Sequence, residues 1–227
     1  MRKALILGGD GGIGSAICRE FRRNGWKVLA PAIKECDLSS PDSVERYLVA
    51  SAGVLKGVDA LVHSAGINEP GPFEKIGMAD FERIAQVNTF SFVRVMQHFA
   101  PLFKKKRRGH ILAISSLYGG FSRAGRMPYA LSKHGLNGAV KTAALELGPY
   151  GVIANTLSPG FVDTPLTRKN NGQAVIRSFE ERIPLGFLAA PVDIARAAYF
   201  LCSPQNTYIT GQDIVADGGY SAGGFQK

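Results

Sequence analysis

Residues 3–14 read Lys3-Ala4-Leu5-Ile6-Leu7-Gly8-Gly9-Asp10-Gly11-Gly12-Ile13-Gly14. The apolar run over residues 3–7 predicts a short buried strand that stops at Gly8. Helical periodicity then runs from Ile13 to about Asn24 and closes with Gly25 as a cap. Glycines between a strand and a helix let the backbone turn tightly and approach a pyrophosphate, whose charge the helix N-terminus favours. A glycine pattern alone is weak, but in this strand–turn–helix setting it points to a dinucleotide site; the competing explanation is a structural tight turn.

The same alternation continues outward. Apolar strand patterns fall at residues 27–30, at 58–63 before Ser64-Ala65-Gly66, at 110–115, at 152–157 before Ser158-Pro159-Gly160, and at 213–216. Helical patterns occupy 80–106, 129–147 and 192–201. Apolar strands alternating with helices predict a parallel sheet covered on both faces. The expectation is a doubly wound, three-layer α/β/α architecture of Rossmann type, in one domain over residues 1–227. One stretch is irregular. Between the second strand and Asp37 too few residues remain for a crossover helix, so that helix is missing or reduced to a loop around Pro31.

At 227 residues, 45% apolar and 20% charged, the chain has the composition of a soluble globular domain. No stretch approaches the ~20 apolar residues of a membrane helix, and the first apolar run ends too early for a signal peptide. Cys18, Cys36 and Cys202 cannot all pair and form no Cys-x-x-Cys, which points to a reduced, cytoplasmic setting. His63, His98, His110 and His134 show no metal spacing, so no metal is expected. The net charge of +9 suggests anionic ligands. Its densest cluster, Lys104-Lys105-Lys106-Arg107-Arg108 before Gly109, reads as cations at a helix C-terminus or as a docking surface for an acidic partner. Nucleic acid is not expected.

Residues 129–133 read Tyr129-Ala130-Leu131-Ser132-Lys133, and Ser116 stands thirteen positions upstream after an apolar run. On a helix, positions i and i+4 share a face, so Tyr129 and Lys133 point the same way. A fixed ammonium beside a phenol favours the phenolate and lowers its pKa, which makes a proton donor for a carbonyl oxygen. A serine-hydrolase reading lacks Gly-x-Ser-x-Gly around Ser116.

The spacing Gly8-x3-Gly12-x-Gly14, together with Ser116, Tyr129 and Lys133, resembles the short-chain dehydrogenase/reductase family across nearly the whole chain. Asn88 matches its mid-helix asparagine, Pro159-Gly160 with Thr164 its post-strand nicotinamide loop, and Asp37-Leu38 its adenine-contacting position after a third strand. The resemblance implies catalytic roles for Asn88, Ser116, Tyr129 and Lys133. It implies cofactor contacts from Gly8, Asp10, Gly12, Ile13, Gly14, Asp37, Leu38, Ser64, Ala65, Gly66, Asn88, Tyr129, Lys133, Pro159, Gly160, Val162 and Thr164. Tyr129 is expected to donate the proton, Ser116 to hold the same oxygen, Lys133 to bind the nicotinamide ribose, and Asn88 to hold a relay water. Leu7 and Ser64 depart from the family's usual Thr and Asn; Ser64 is expected to hydrogen-bond locally.

An acid at the end of the second strand would bind the 2′-hydroxyl of NAD, and residues 30–33 contain none, which favours NADP(H) over NAD(H). Within the family the chain looks most like 3-oxoacyl-(acyl-carrier-protein) reductases, through the basic run with Arg107 and through Ile183-Pro184-Leu185-Gly186; Tyr150 departs at the second docking position. That implies reduction of a 3-oxoacyl thioester, with a possible acyl carrier protein partner and a role in fatty acid biosynthesis. The alternatives are a dehydrogenase of a sugar, polyol or other small secondary alcohol, and, remotely, a non-catalytic NADP-sensing regulator. Residues 161–188 are expected to form a substrate lid that is polar and basic at 167–172, with Arg123 and Arg126 at the pocket mouth. A homotetramer built on helices 88–106 and 129–147 is expected by analogy, with Ala130, Gly135, Gly138, Ala139 and Ala143 permitting close approach.

Overall fold

The computed structural model describes residues 1–223; residues 224–227 of the expected domain lie outside them. Strand β1 (Lys3–Leu7) is flanked by β2 (Lys27–Leu29) and β3 (Ala60–His63), with Ala4 opposite Val28 on one side and Ala60 on the other. Strands β4 (Gly109–Ile114), β5 (Val152–Pro159) and β6 (Asp213–Ala216) continue the sheet in the order β2-β1-β3-β4-β5-β6, every pair parallel. Side chains alternate along β1, so Leu5 and Leu7 enter one core while Ala4 and Ile6 enter the other.

Helices α1 (Gly12–Arg23) and α9 (Pro191–Cys202) cover the second face, where Ile17, Phe21, Ile194 and Leu201 pack on Ile6 and its neighbours. The first face is covered by α2 (Pro41–Ala50), α3 (Ala52–Leu55), α5 (Ser91–Lys106) and α6 (Met127–Leu147), which bring in Val44, Leu55, Phe99, Phe103, Leu136 and Val140. Helices α4 (Met78–Ala85), α7 (Pro165–Asn170) and α8 (Gln173–Arg182) lie in the connections beyond the carboxyl ends of the strands. The chain leaves β1 for β2 on one side and returns to β3 on the other. A crevice opens at that reversal, beyond the carboxyl ends of β1 and β3.

Residues 30–40 form a loop without a helix, as the short spacing implied, and lack the strand expected before Asp37, so β2 is the edge of the sheet. The crossover is made by α2 instead. Ser40 caps it, its Oγ accepting from Ser43 N–H at 3.2 Å, and Pro41 occupies its first turn. Asp37 then folds into a local turn, its Oδ1 accepting from the Ser39 amide at 2.9 Å and hydroxyl at 2.7 Å.

Much of the basic run has a structural use. Asp59, at the foot of β3, accepts from the Lys3 amide at 3.0 Å and from Lys106 Nζ at 2.7 Å, with Arg108 at 3.4 Å. Burial alone would raise the Asp59 carboxyl pKa, but the Lys106 and Lys3 hydrogen bonds and the two cations outweigh it and hold the group below its ordinary value. A depressed carboxylate stabilises the fold above its unfolded pKa, and that contribution is lost as pH falls through the folded value. Asp59→Asn is therefore expected to lower unfolding free energy by about 2–3 kcal/mol at pH 7. In denaturant titrations the gap to wild type should close as pH falls below about 4.

Candidate active site

The glycine turn is built by close backbone approach. A Cβ on Gly14 would lie 2.0 Å from the Gly8 carbonyl oxygen, and one on Gly8, whose φ is +75°, would lie 2.6 Å from the Ala65 nitrogen. Gly11 N–H closes the turn onto Gly8 O at 3.2 Å. Helix α1 then starts with no side-chain cap and no acid in its first turn, which leaves its end positively polarised toward the crevice. A cradle that only glycine fits, facing an uncapped helix N-terminus, suits a pyrophosphate.

Two cavities open from this turn. One, of 440 Å³, is lined by Gly8, Asp10, Gly11, Pro31, Ile33, Asp37, Leu38, Ser64–Gly66 and Arg83. The other, of 490 Å³, continues past Gly12, Ile13 and Gly14 to Ser116, Tyr129 and Lys133, with Pro159, Gly160, Val162 and Thr164 on its far wall. Between them they hold every expected cofactor residue except Asn88. The sequence reading missed Pro31 and Ile33, which the loop after β2 brings over the turn, and Arg83, which reaches the first cavity from α4.

Ser116 follows β4 in extended conformation, and its Oγ accepts from the Tyr118 amide at 3.2 Å. Tyr129 lies in the first turn of α6 and Lys133 one turn later. Lys133 is buried, donates from Nζ to the Ile114 carbonyl at 2.8 Å, and sits 5.6 Å from the centroid of the Tyr129 ring. The electrostatics correct the expected lowering of the phenol by this lysine. Burial raises the Tyr129 pKa, opposed by the Ser116 hydroxyl and the charge of Arg126, while burial pushes Lys133 down to about 8. The ammonium is itself desolvated, so it is a costly ion here before it is a stabiliser of another.

Asn88 stands behind the cavity wall rather than on it. The helix expected over 80–106 is interrupted at residues 86–90 by a π turn, which offsets α4 from α5 and turns Asn88 inward. The Asn88 amide is committed: Oδ1 accepts from Ile67 N–H at 2.8 Å, and Nδ2 donates to Ile67 O and Ser132 Oγ, each at 3.0 Å. Both amide hydrogens are used, which leaves the second lone pair of Oδ1 as the side chain's remaining hydrogen-bond site for a water. His63, unremarked in the sequence beyond its lack of metal spacing, braces this unit. Its ring is fully buried, stacks on Phe92 at 4.8 Å, and places Nε2 3.2 Å from the Asn88 carbonyl. A carbonyl only accepts, so Nε2 carries the proton; burial and the Lys133 charge push the ring down to about 3 and keep it neutral. Ser64 Oγ, in contrast with its expected local bond, is buried with no partner among the described residues.

A third cavity, of 180 Å³, adjoins Ser116 and Tyr129 on the side away from the glycines. Phe161 and Phe179, stacked at 4.0 Å, form one wall with Leu166, and Thr167 and Asn171 reach it from the segment after β5. The basic character expected of that segment is partly neutralised, because Arg168 pairs through two bonds of 2.6 and 2.7 Å with Asp163. Arg123 and Arg126 do line the cavity.

A family model described as enoyl-(acyl carrier protein) reductase matches residues 8–221. The chain is 32% identical to a 3-oxoacyl-(acyl-carrier-protein) reductase of Vibrio cholerae serotype O1, covering 95% of this chain and 96% of that one. It is 33% identical to 2,5-dichloro-2,5-cyclohexadiene-1,4-diol dehydrogenase of Sphingobium indicum, covering 97% and 96%. Among solved structures, NADP-bound ElxO superposes with a TM-score of 0.90 at 25% identity, over 97% of this chain and 99% of that one.

A lysine whose folded pKa lies below its ordinary value makes stability rise as pH climbs from about 8 to the unfolded value. Lys133→Met removes that burden and leaves only the Ile114 carbonyl unpaired. The variant is expected to be more stable than wild type by roughly 1–3 kcal/mol at pH 7. Its unfolding free energy should also lack the wild-type rise between about pH 8 and 10.

Proposed function

This chain belongs to the short-chain dehydrogenase/reductase family of nicotinamide-dependent oxidoreductases, and on that footing we propose that it interconverts a carbonyl and a secondary alcohol with Ser116, Tyr129 and Lys133 handling the proton. The observation that carries this reading is their convergence on one cavity that continues from the glycine turn. The nicotinamide, when bound, supplies or accepts the hydride.

The turn from Gly8 to Gly14, Asp10 and Ile13 included, would hold the pyrophosphate against α1 through its backbone N–H groups. Asp37 and Leu38 border the adenine side; Ser64, Ala65 and Gly66 form the floor; Pro159, Gly160, Val162 and Thr164 hold the nicotinamide end. Ser116 Oγ hydrogen-bonds the substrate oxygen and Tyr129 Oη delivers its proton in the reducing direction. Lys133 keeps two of its three N–H donors beyond the Ile114 bond, and these bind ribose hydroxyls. Asn88 is a positioning residue that locks Ile67 and, through it, the Gly66 floor.

NADP(H) is the preferred cofactor in this reading, because the loop over residues 30–33 offers no acid and Lys34 stands exposed beside it. The likeness to NADP-bound ElxO supports it. Reduction of a 3-oxoacyl thioester is supported by the Vibrio cholerae relative. Carrier docking would use Arg107, which is exposed but bonded to the Pro149 carbonyl and set over the Tyr150 ring. The diol dehydrogenase likeness and the small substrate-side cavity favour a second reading, a dehydrogenase of small secondary alcohols. Exposed Leu131 and Leu145, with Gly138 open on the same helix, support a homotetramer through α6. Among the described residues no helix is long and apolar enough to cross a membrane. Buried, unpaired Cys18, Cys36 and Cys202 suit the cytoplasm.

Tyr129→Phe is expected to bind NADPH as wild type does, by nucleotide fluorescence, while kcat on any accepted carbonyl falls by about 10³-fold or more. Wild-type turnover in that variant overturns the assignment. Steady-state kcat/KM should favour NADPH over NADH, and Lys34→Ala should narrow that ratio; an NADH preference in wild type overturns the cofactor assignment.

A further inference from the structure

The 180 Å³ cavity beside Ser116 and Tyr129 carries two arginines, and no acidic side chain of the described residues lines it. Arg123 is exposed, so water solvates its charge. Arg126 is placed differently. It is half-buried at the boundary of α6, three residues before Tyr129, where its carbonyl accepts from the Ala130 amide at 2.8 Å and ties it to the helix start. Its Nη1 is shielded from solvent and has no hydrogen-bond partner among the described residues. A guanidinium stays charged and presents its donors in a rigid fork, so a shielded, unpaired Nη1 is unfavourable until an anion meets it.

Other arginines around the two long cavities and the basic run are already paired. Arg83 holds Glu69 and Asp80, Arg168 holds Asp163, and Arg107 holds the Pro149 carbonyl. At 180 Å³ the space beside Arg126 is small against the roughly 300–1,000 Å³ of pockets for drug-sized ligands, although it opens onto the larger cavity through Ser116 and Tyr129. The remaining wall mixes apolar Ile67, Val162, Phe161 and Leu166 with polar Asn68, Tyr118, Thr167 and Asn171. The site thus offers a short, partly apolar space lined both by a half-buried cation with a shielded, unpaired donor and by the proton-handling pair.

We propose that Arg126 anchors a carboxylate of the substrate, which is therefore a short oxo acid interconverted with its hydroxy acid. This rests on the carbonyl–alcohol reading above and, between its two substrates, narrows the small secondary alcohol and sets the thioester aside. A planar guanidinium grips a carboxylate with directional, charge-assisted bonds, which fix the carbonyl of a short chain against Ser116 and Tyr129. A neutral ester or thioester of the same skeleton leaves Nη1 unpaired and forfeits that grip.

The test is a panel of short 2-, 3- and 4-oxo acids, their methyl esters and an acetoacetyl N-acetylcysteamine thioester, assayed with NADPH and NADH. Wild type is expected to prefer at least one free acid over its own ester. In Arg126→Gln the acid-to-ester ratio of kcat/KM should fall about 100-fold. Arg126→Lys should restore part of it, and NADPH binding by fluorescence should be unchanged in both variants. A ratio comparison within one variant cancels any general loss of folding or of Tyr129 activity. Turnover of esters or thioesters in preference to every acid, turnover of no acid, or a ratio unmoved by Arg126→Gln overturns the carboxylate anchor. None of those outcomes touches the carbonyl–alcohol reading, which fails instead on turnover by Tyr129→Phe.

Discussion

The approach of Gly14 to the Gly8 carbonyl is the constraint on which the rest of the molecule depends. A single methyl on Gly14 would stand 2.0 Å from that oxygen, so the start of α1 can lie on the end of β1 only because Gly14 lacks a side chain, while Gly8 must lack one for its own approach to Ala65. The contact sets the direction in which α1 leaves the sheet, and hence its packing on α9 and the seating of its Phe21 ring against Trp26 and Tyr199. It also points the uncapped helix end at the crevice between β1 and β3. Stability and ligand chemistry therefore share one piece of geometry.

Around that crevice, binding capacity is stored as unsatisfied polarity. Lys133 is buried as a lone ammonium against one carbonyl, and Arg126 keeps a shielded donor without a partner. Both are unfavourable in the folded chain by itself. The surrounding structure holds them in place: β4 carries Ile114 and Ser116, α6 carries Tyr129 and Lys133, and the π turn with His63 clamps Asn88 onto Ile67. Cores on both sides of the sheet outweigh these costs, and the site keeps open donors for ligand oxygen atoms.

The order of elements was legible in the chain because a parallel sheet buries its strands on both faces, and apolar runs such as residues 3–7 and 110–115 stand out against helical periods, the second within one residue of β4. The glycine turn and the Tyr129–Lys133 pair were legible for a similar reason, since each is a local pattern with a fixed spacing. The loop over residues 30–40 was legible only as an irregularity. Its path over the glycine turn, which brings Pro31 and Ile33 into the first cavity, depends on contacts with residues distant in sequence. The π turn hid inside a continuous helical pattern, because the bonds that stabilise it come from Ile67 and Ser132.

What the sequence by itself determined is the class of bond chemistry: residues four apart on a helix share a face, and glycines between strand and helix admit a phosphate. What only the tertiary structure decided is the charge state and company of those groups. Burial raises the Tyr129 pKa and lowers that of Lys133, against the simple expectation for a neighbouring pair, because desolvation acts on each before they act on one another. The fold likewise sorted the cations. Lys106 and Arg108 went to Asp59, Arg168 to Asp163, and Arg126 was left beside Ser116 and Tyr129 with a donor to offer. A sequence counts charges, but only packing assigns their partners.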